Sequence, residues 1–354
     1  VILNSANSAA LEIIVNDQNL QQQNQTYTWR ITKSRTARKA EFTTHLTELN
    51  QLTDYYKHWL SDDEKSSLPL IAFYPVVRSV IDIPLKIRVK HQFLQIDGYD
   101  NALNNAVDFR RFFEWFRDRE DIENELTKRA KNSFVIETQE MGDIFTDLEE
   151  ANKRVDKLEV GDFDGLRKEI VKIKKALNFQ IEYEKINKKD VQLEAVRQAI
   201  YIFMPEFNNL RVKRKPHLHM AVDKKDKTLN VTQLSQGEKS LMALVGDIAR
   251  RLAMMNPSLE NPLHGKGIIL IDEIDMHLHP QWQRSIIQRL QTTFPNCQFI
   301  LTTHSPLVIS DTQDILVYDL DGQDITALPS LYGQDANTVL LQYMDTSYRN
   351  PKVA

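Results

Sequence analysis

Cysteine is almost missing from this chain: Cys297 stands alone in 354 residues. No intramolecular disulfide can form, and such sparse usage suits a reducing compartment. Cys297 itself reads as a small residue packed beside a strand. Long apolar runs are missing as well. No stretch reaches the roughly 18 apolar residues of a membrane span. The opening VILNSANSAALEIIV has neither the basic nor the apolar segment of a signal peptide. A cytoplasmic protein with no membrane partner is the expectation. Nor is there an excess of one charge: 45 Lys and Arg stand against 49 Asp and Glu, a formal net charge of −4. Any nucleic-acid contact must therefore come from local patches. Internal repeats and low-complexity tracts are absent too. What remains is 42% apolar and 27% charged, the texture of a globular protein, and the length is ample for one large domain or two ordinary ones.

Residues 7–45 alternate as an antiparallel meander would, through ALEIIV, a polar turn, TYTWRIT and ARKAEFTTHL. Arg30, Lys33, Arg35, Arg38 and Lys39 lie on it, read as a solvated, aggregation-blocking edge before a phosphate contact. LPLIAFYPVV (Leu68 to Val77) suits a buried strand. Phe109, Phe112, Phe113 and Phe116 fall on one helix face, a core stripe that needs no cofactor. From about 120 to 190 the chain turns rich in Lys, Glu and Asp. Leu148, Val155 and Leu158, then Leu166, Ile170, Ile173 and Leu177, form two narrow apolar seams around GDFDG. That pattern predicts a helical hairpin or short coiled coil projecting from the body, either a plain subdomain or a docking arm. The globular texture returns at Leu193. A second basic group, Arg211, Lys213, Arg214 and Lys215, reads as a solvated strand.

Three motifs follow in order. In LSQGEKSLMAL, Ser235 precedes a helix whose apolar face includes Leu241, Leu244, Val245 and Ile248. Ser235 and Glu238 match a capping box. The same helix N-terminus offers free N–H groups and a positive dipole end to an anion, and Gly237 lets backbone approach it closely. In GKGIILIDEIDMHLHP, an apolar run as of a strand buried on both faces ends in Asp272 and Glu273. Carboxylates there sit where open α/β sheets hold ligands. Asp272 suits a magnesium ion and Glu273 suits a general base for water. In CQFILTTHSP, another buried strand leads to His304, placed to donate a hydrogen bond to a phosphate.

Together, LSQGEK, IILIDEID and LTTHSP resemble the signature, Walker B with D-loop, and switch-histidine motifs of ABC-type ATPases of the SMC, RecF and OLD branch. LPLIAFYPVVR, LEAVRQAIYIFMPEFNNLRV and LYGQDANTVLLQYM are similar to the connecting segments of the PtuA-type ATPases of Septu and retron-associated anti-phage defence. The resemblance covers most of residues 65–120 and 190–342 and leaves out the arm at about 125–188. It implies an α/β head with a mixed sheet, flanking helices, an antiparallel N-terminal meander and an inserted helical hairpin. The implied divisions are 1–120 for the N-terminal part of the head, 121–190 for the insertion, and 191–354 for the lobe with the three motifs. It implies ATP and Mg²⁺, with Ser235, Gln236, Gly237 and Glu238 meeting the γ-phosphate of ATP held by another protomer. Asp275 would lie at that same head-to-tail interface, in a homodimer or higher oligomer. The implied partners are an HNH nuclease subunit and, in retron forms, a reverse transcriptase with its multicopy single-stranded DNA.

One expected part is missing. An ATPase of this class cradles phosphates in a loop of pattern G-x-x-x-x-G-K-[ST], and none occurs in the sequence; Gly161 and Gly165 are too close together. The resemblance places that loop upstream of the meander, so the expectation is a portion of a longer polypeptide that binds ATP poorly by itself. A true loss, leaving a pseudo-ATPase scaffold, is the alternative. A RecF-like DNA-repair ATPase and an OLD-type nuclease are further readings. The first rests only on the basic patches, and the second needs a domain that 50 residues after His304 cannot hold.

Overall fold

The structure, a computed structural model, describes residues 7–17, 25–35, 42–76, 93–104, 109–128, 189–321 and 324–344. They form two compact units that divide between Leu68 and Pro69, a boundary the sequence reading does not draw.

In the first unit, β1 (Ser8–Asp17) and β2 (Gln25–Ser34) pair antiparallel, with Ile13 opposite Trp29 and Val15 opposite Tyr27. Alternation puts these four side chains on one face, where Leu49, Leu52 and Tyr55 of the helix Thr47–Asp62 close a small core over Tyr27 and Trp29. The Tyr56 hydroxyl donates to Asp17 at 2.6 Å, and the Thr28 N–H donates to Glu48 at 2.5 Å. The third strand expected of the meander reduces, among the described residues, to one bridge. Arg30 and His45 exchange backbone bonds of 2.9 and 2.8 Å. Arg30 pairs with Glu12 and lies over the Phe42 ring. Arg38 and Lys39 lie outside the described residues.

The second unit is built on a parallel sheet. β3 (Leu70–Tyr74) is the strand expected in LPLIAFYPVV, and three further strands precede its partners: β4 (Phe207–Lys213), β5 (His219–Lys224) and β6 (Lys227–Asn230), an antiparallel meander of their own. β7 (Gly267–Ile271) then pairs with β3 on one side and with β8 (Cys297–Leu301) on the other. β9 (Tyr318–Asp321) and β10 (Asp324–Ala327) form a separate hairpin. Both motif strands were expected to be buried on both faces. Ile269 and Ile271 of β7 are buried, but Ile300 of β8 is 50% exposed. Gln298 and Ile300 share one face of β8 and are exposed, while the alternating residues are partly buried, so among the described residues β8 is covered on one face only.

Helices pack on this sheet. Residues 109–128 are helical, and Phe109, Phe112, Phe113 and Phe116 are all buried, as their spacing predicts. Residues 120 and 121, where the insertion was expected to begin, both lie within the described part of this helix. Residues 129–188, which carry the expected hairpin, lie outside the described residues. Arg197 of the helix Val191–Phe203 reaches Glu120 at 3.4 Å and Glu123 at 3.1 Å. The long helix Gln236–Met255 is buried along almost its whole length, all but Gln236 and Lys239. Gly246 lets it approach residues 109–128, since a Cβ there would lie 2.9 Å from the Phe112 ring. Cys297 opens β8 partly buried, and burial pushes its thiol up to about 12, consistent with a packing residue.

Candidate functional site

Parallel pairing brings two of the three motifs together. β7 and β8 run in register, with Ile271 opposite Leu301. Asp272–Asp275 and Thr302–Ser305 therefore leave the sheet at one C-terminal edge, where open α/β sheets hold ligands. Thr302 grips the acidic turn at four points. Its N–H donates to the Ile271 carbonyl and its carbonyl accepts from the Ile274 N–H, both at 3.0 Å. Its hydroxyl accepts from the Glu273 N–H at 2.8 Å and donates to Asp272 Oδ1. Glu273 needs such a grip because its φ is +45°. That left-handed conformation is uncommon outside glycine and stores on the order of 1–3 kcal/mol.

Thr303 repeats the arrangement one step on. Its hydroxyl donates to Asp275 Oδ1 and accepts from the Ser305 N–H at 3.0 Å. Gln283 Nε2 donates to the carbonyls of Asp275 and Leu278, at 3.3 and 3.1 Å, and the Ser305 hydroxyl donates to Gln283 at 2.8 Å. From the other strand, the Tyr74 carbonyl accepts the Asp272 N–H at 2.9 Å. His304 is exposed on the segment so fixed and, among the described residues, makes no hydrogen bond to the acidic pair.

The turn before the long helix sits against the same loop. A Cβ on Gly237 would lie 2.4 Å from the His277 carbonyl oxygen, and His277 itself has φ +62°. Gly237 is therefore required by a contact within its own chain, a reason the sequence does not display. Ser235 caps the helix as expected: its hydroxyl accepts from the Glu238 N–H at 3.3 Å, and its own N–H donates to the Glu238 carboxylate at 2.8 Å. Glu238, only 8% exposed, also receives Lys224 Nζ at 2.6 Å. Burial pushes the Glu238 carboxyl up, but the bonds from Lys224 and Ser235 outweigh it and hold the group below its ordinary value. Its carboxylate thus shapes the turn, while Ser235 and Gln236 stay exposed at the tip.

Asp272, Glu273 and Asp275 are each partly exposed. Among the described residues no group of three His, Cys, Asp or Glu side chains gathers to cage a metal. A lone carboxylate such as Asp272 fits magnesium, which takes one or two carboxylates and fills its remaining positions with water and phosphate oxygens. In the second basic group two of the four cations are paired locally: Arg211 with Asp223 at 3.0 Å, and Arg214 with Asp121.

Sequence reasoning did not find Thr302, Thr303, Tyr74, Lys224 or His277. The threonine pair directly after FIL is the one legible signal, since polar residues closing an apolar strand face whatever the neighbouring strand delivers.

Known proteins are similar to this chain in sequence. The chain is 36% identical over 329 residues to "Retron Vc95 probable ATPase" of Vibrio cholerae serotype O1 biovar El Tor, covering 90% of this chain and 61% of that protein. It is 38% identical over 318 residues to "Retron Ec83 probable ATPase" of Escherichia coli, covering 86% and 57%. A stretch of 74 residues is 47% identical to "Septu protein PtuA" of Bacillus mycoides (strain KBAB4), 21% of this chain and 10% of that protein. The chain thus spans 61% and 57% of the two retron relatives. Residues 61–310 match the family model AAA_21, described as "AAA domain, putative AbiEii toxin, Type IV TA system", and the chain belongs to that AAA domain family.

Proposed function

We propose that this chain is the ATPase subunit of a bacterial anti-phage defence complex. The observation that carries the reading is the junction of Asp272, Glu273 and Asp275 with Thr302 and Thr303 at the C-terminal ends of two parallel strands. The retron and Septu relatives support the defence setting.

Asp272 would hold Mg²⁺ together with the nucleotide's phosphates. The ion supplies charge neutralisation on the phosphate oxygens. Glu273 orients a water and takes its proton as the water oxygen bonds to the γ-phosphorus and the bond to ADP breaks. His304, exposed beside that turn, donates a hydrogen bond to the γ-phosphate. The sequence contains no G-x-x-x-x-G-K-[ST] loop, and in this reading the phosphate cradle comes from outside these residues. Ser235, Gln236 and Gly237 meet ATP held by a second copy, with Glu238 keeping their turn in shape and Asp275 at the shared interface. Hydrolysis regulates a partner HNH nuclease, in a retron setting together with a reverse transcriptase and its single-stranded DNA. The complex works in the cytoplasm; among the described residues no helix is long and apolar enough to cross a membrane. The DNA-repair reading loses support from the local pairing of Arg211 and Arg214.

Light scattering of the protein with the phosphate cradle supplied, in the presence and absence of ATP, tests the composite site. ATP should raise the molar mass to that of a pair or higher assembly, and Ser235→Arg, at an exposed cap, should abolish the rise while leaving the fold intact. A mass unchanged by ATP, or a rise that survives Ser235→Arg, would contradict it.

A further inference from the structure

We propose that Thr302 is a positioning residue that fixes the Asp272 carboxylate and the Glu273 backbone together, through one hydroxyl whose two hydrogen bonds run in opposite senses. The inference rests on the phosphate-handling reading of Asp272 and Glu273 and goes beyond it, since nothing in that reading assigns Thr302 a part.

The direction of each bond follows from the donor inventory. The Glu273 N–H can only donate, so the Thr302 oxygen accepts from it, at 2.8 Å. An ionised Asp272 can only accept, so the Thr302 O–H donates to its Oδ1. One rotatable hydroxyl thus locks the backbone of one residue and the carboxylate of its neighbour together. The two main-chain bonds of Thr302, to Ile271 and Ile274 at 3.0 Å each, bracket the same stretch and fix the distance over which the hydroxyl must reach. What it holds is strained: Glu273 sits at φ +45°, and relaxation of that backbone would change the direction in which its side chain leaves the turn. Hydrogen-bonded partners of this kind orient a metal-binding carboxylate and raise its affinity.

The residue type is selective. Serine keeps the hydroxyl but loses the methyl that restricts χ1. Valine keeps the branched shape and loses both bonds. Thr302 is exposed, so neither change opens a cavity, and a loss of function would not be a loss of fold.

The test compares wild type, Thr302→Val and Thr302→Ser in the full chain by two readouts. The first is residue-resolved amide hydrogen exchange without nucleotide. The Glu273 amide should exchange about fivefold faster or more in Thr302→Val, the loss of one ordinary hydrogen bond, and near the wild-type rate in Thr302→Ser. The second, made with the phosphate cradle supplied, is Mn²⁺ binding in the presence of ATP, followed by electron paramagnetic resonance. Affinity should fall about 10- to 100-fold in Thr302→Val and recover in Thr302→Ser. Unchanged Glu273 exchange in Thr302→Val overturns the proposal. So does equal Mn²⁺ affinity in the wild type and Thr302→Val. If the wild type itself binds no Mn²⁺ with ATP, the phosphate-site reading fails separately, and the exchange result still decides whether Thr302 holds Glu273.

Discussion

Glu238 shows how a residue can match a motif and serve another end. It stands third after Ser235, which makes the capping box legible in the sequence. Its bond to Lys224 is not legible, because β5 reaches the turn only through the fold. That pair gives a pH dependence with a definite sign. The Glu238 carboxyl is held below its ordinary 4.5, so the unfolded chain takes up the proton first as the pH drops. The stabilisation is complete above about pH 4.5 and is lost as the pH falls through the lowered native value. Denaturant titrations of wild type and Lys224→Met should therefore differ near pH 6 and converge as the pH falls below the ordinary 4.5 and through the lowered native value. A constant difference across that range would show that the ion pair does not hold the turn. Thr302 and His277 belong to the same lesson. Their importance depends on β7 meeting β8 in one register and on a left-handed backbone at His277, and neither is written in the local sequence.

At the scale of the element, the helix Gln236–Met255 carries the clearest difference between pattern and structure. The apolar positions Leu241, Leu244, Val245 and Ile248 were legible as one face, and all are buried. Arg250 and Arg251 would ordinarily mark the solvent side. They are buried as well, because Asp247 takes both, at 2.7 and 2.6 Å, and Arg251 also donates to the Gly98 carbonyl at 2.6 Å. The Tyr74 hydroxyl donates to Asp247 at 3.0 Å, and the Tyr74 carbonyl holds Asp272. The helix that begins at the Ser235 turn is thus tied through one tyrosine to the strand that ends in the acidic pair. Asp247→Ala leaves two guanidinium groups buried without their partner and should cost about 3–5 kcal/mol of stability. Tyr74→Phe removes one hydrogen bond and should cost about 1 kcal/mol. Chemical denaturation of the two variants measures both values, and equal losses would mean that Asp247 is not the hub. The strands were easier to read: LIAFY, GIILI and CQFIL are apolar runs of strand length, and all three form one parallel sheet. Their order, with β7 between β3 and β8, comes from long-range pairing that no local pattern encodes.

For the whole molecule, the family, the parallel sheet and the junction of two motifs at its edge support a site for nucleotide phosphates. The sequence carried this much because the chemistry sits at strand ends, where apolar runs stop and polar residues begin. The division at Leu68 escaped it, since the alternating strands before that point and the apolar run after it read as parts of one head. The central claim is that Glu273 activates water for ATP cleavage. Phosphate release from ATP at steady state, measured with the phosphate cradle supplied, compares the wild type with Glu273→Gln. Turnover is expected in the wild type and should fall about 100-fold or more in the variant, with nucleotide binding retained. Turnover that survives Glu273→Gln, or a wild type that binds ATP without ever cleaving it, would contradict the account.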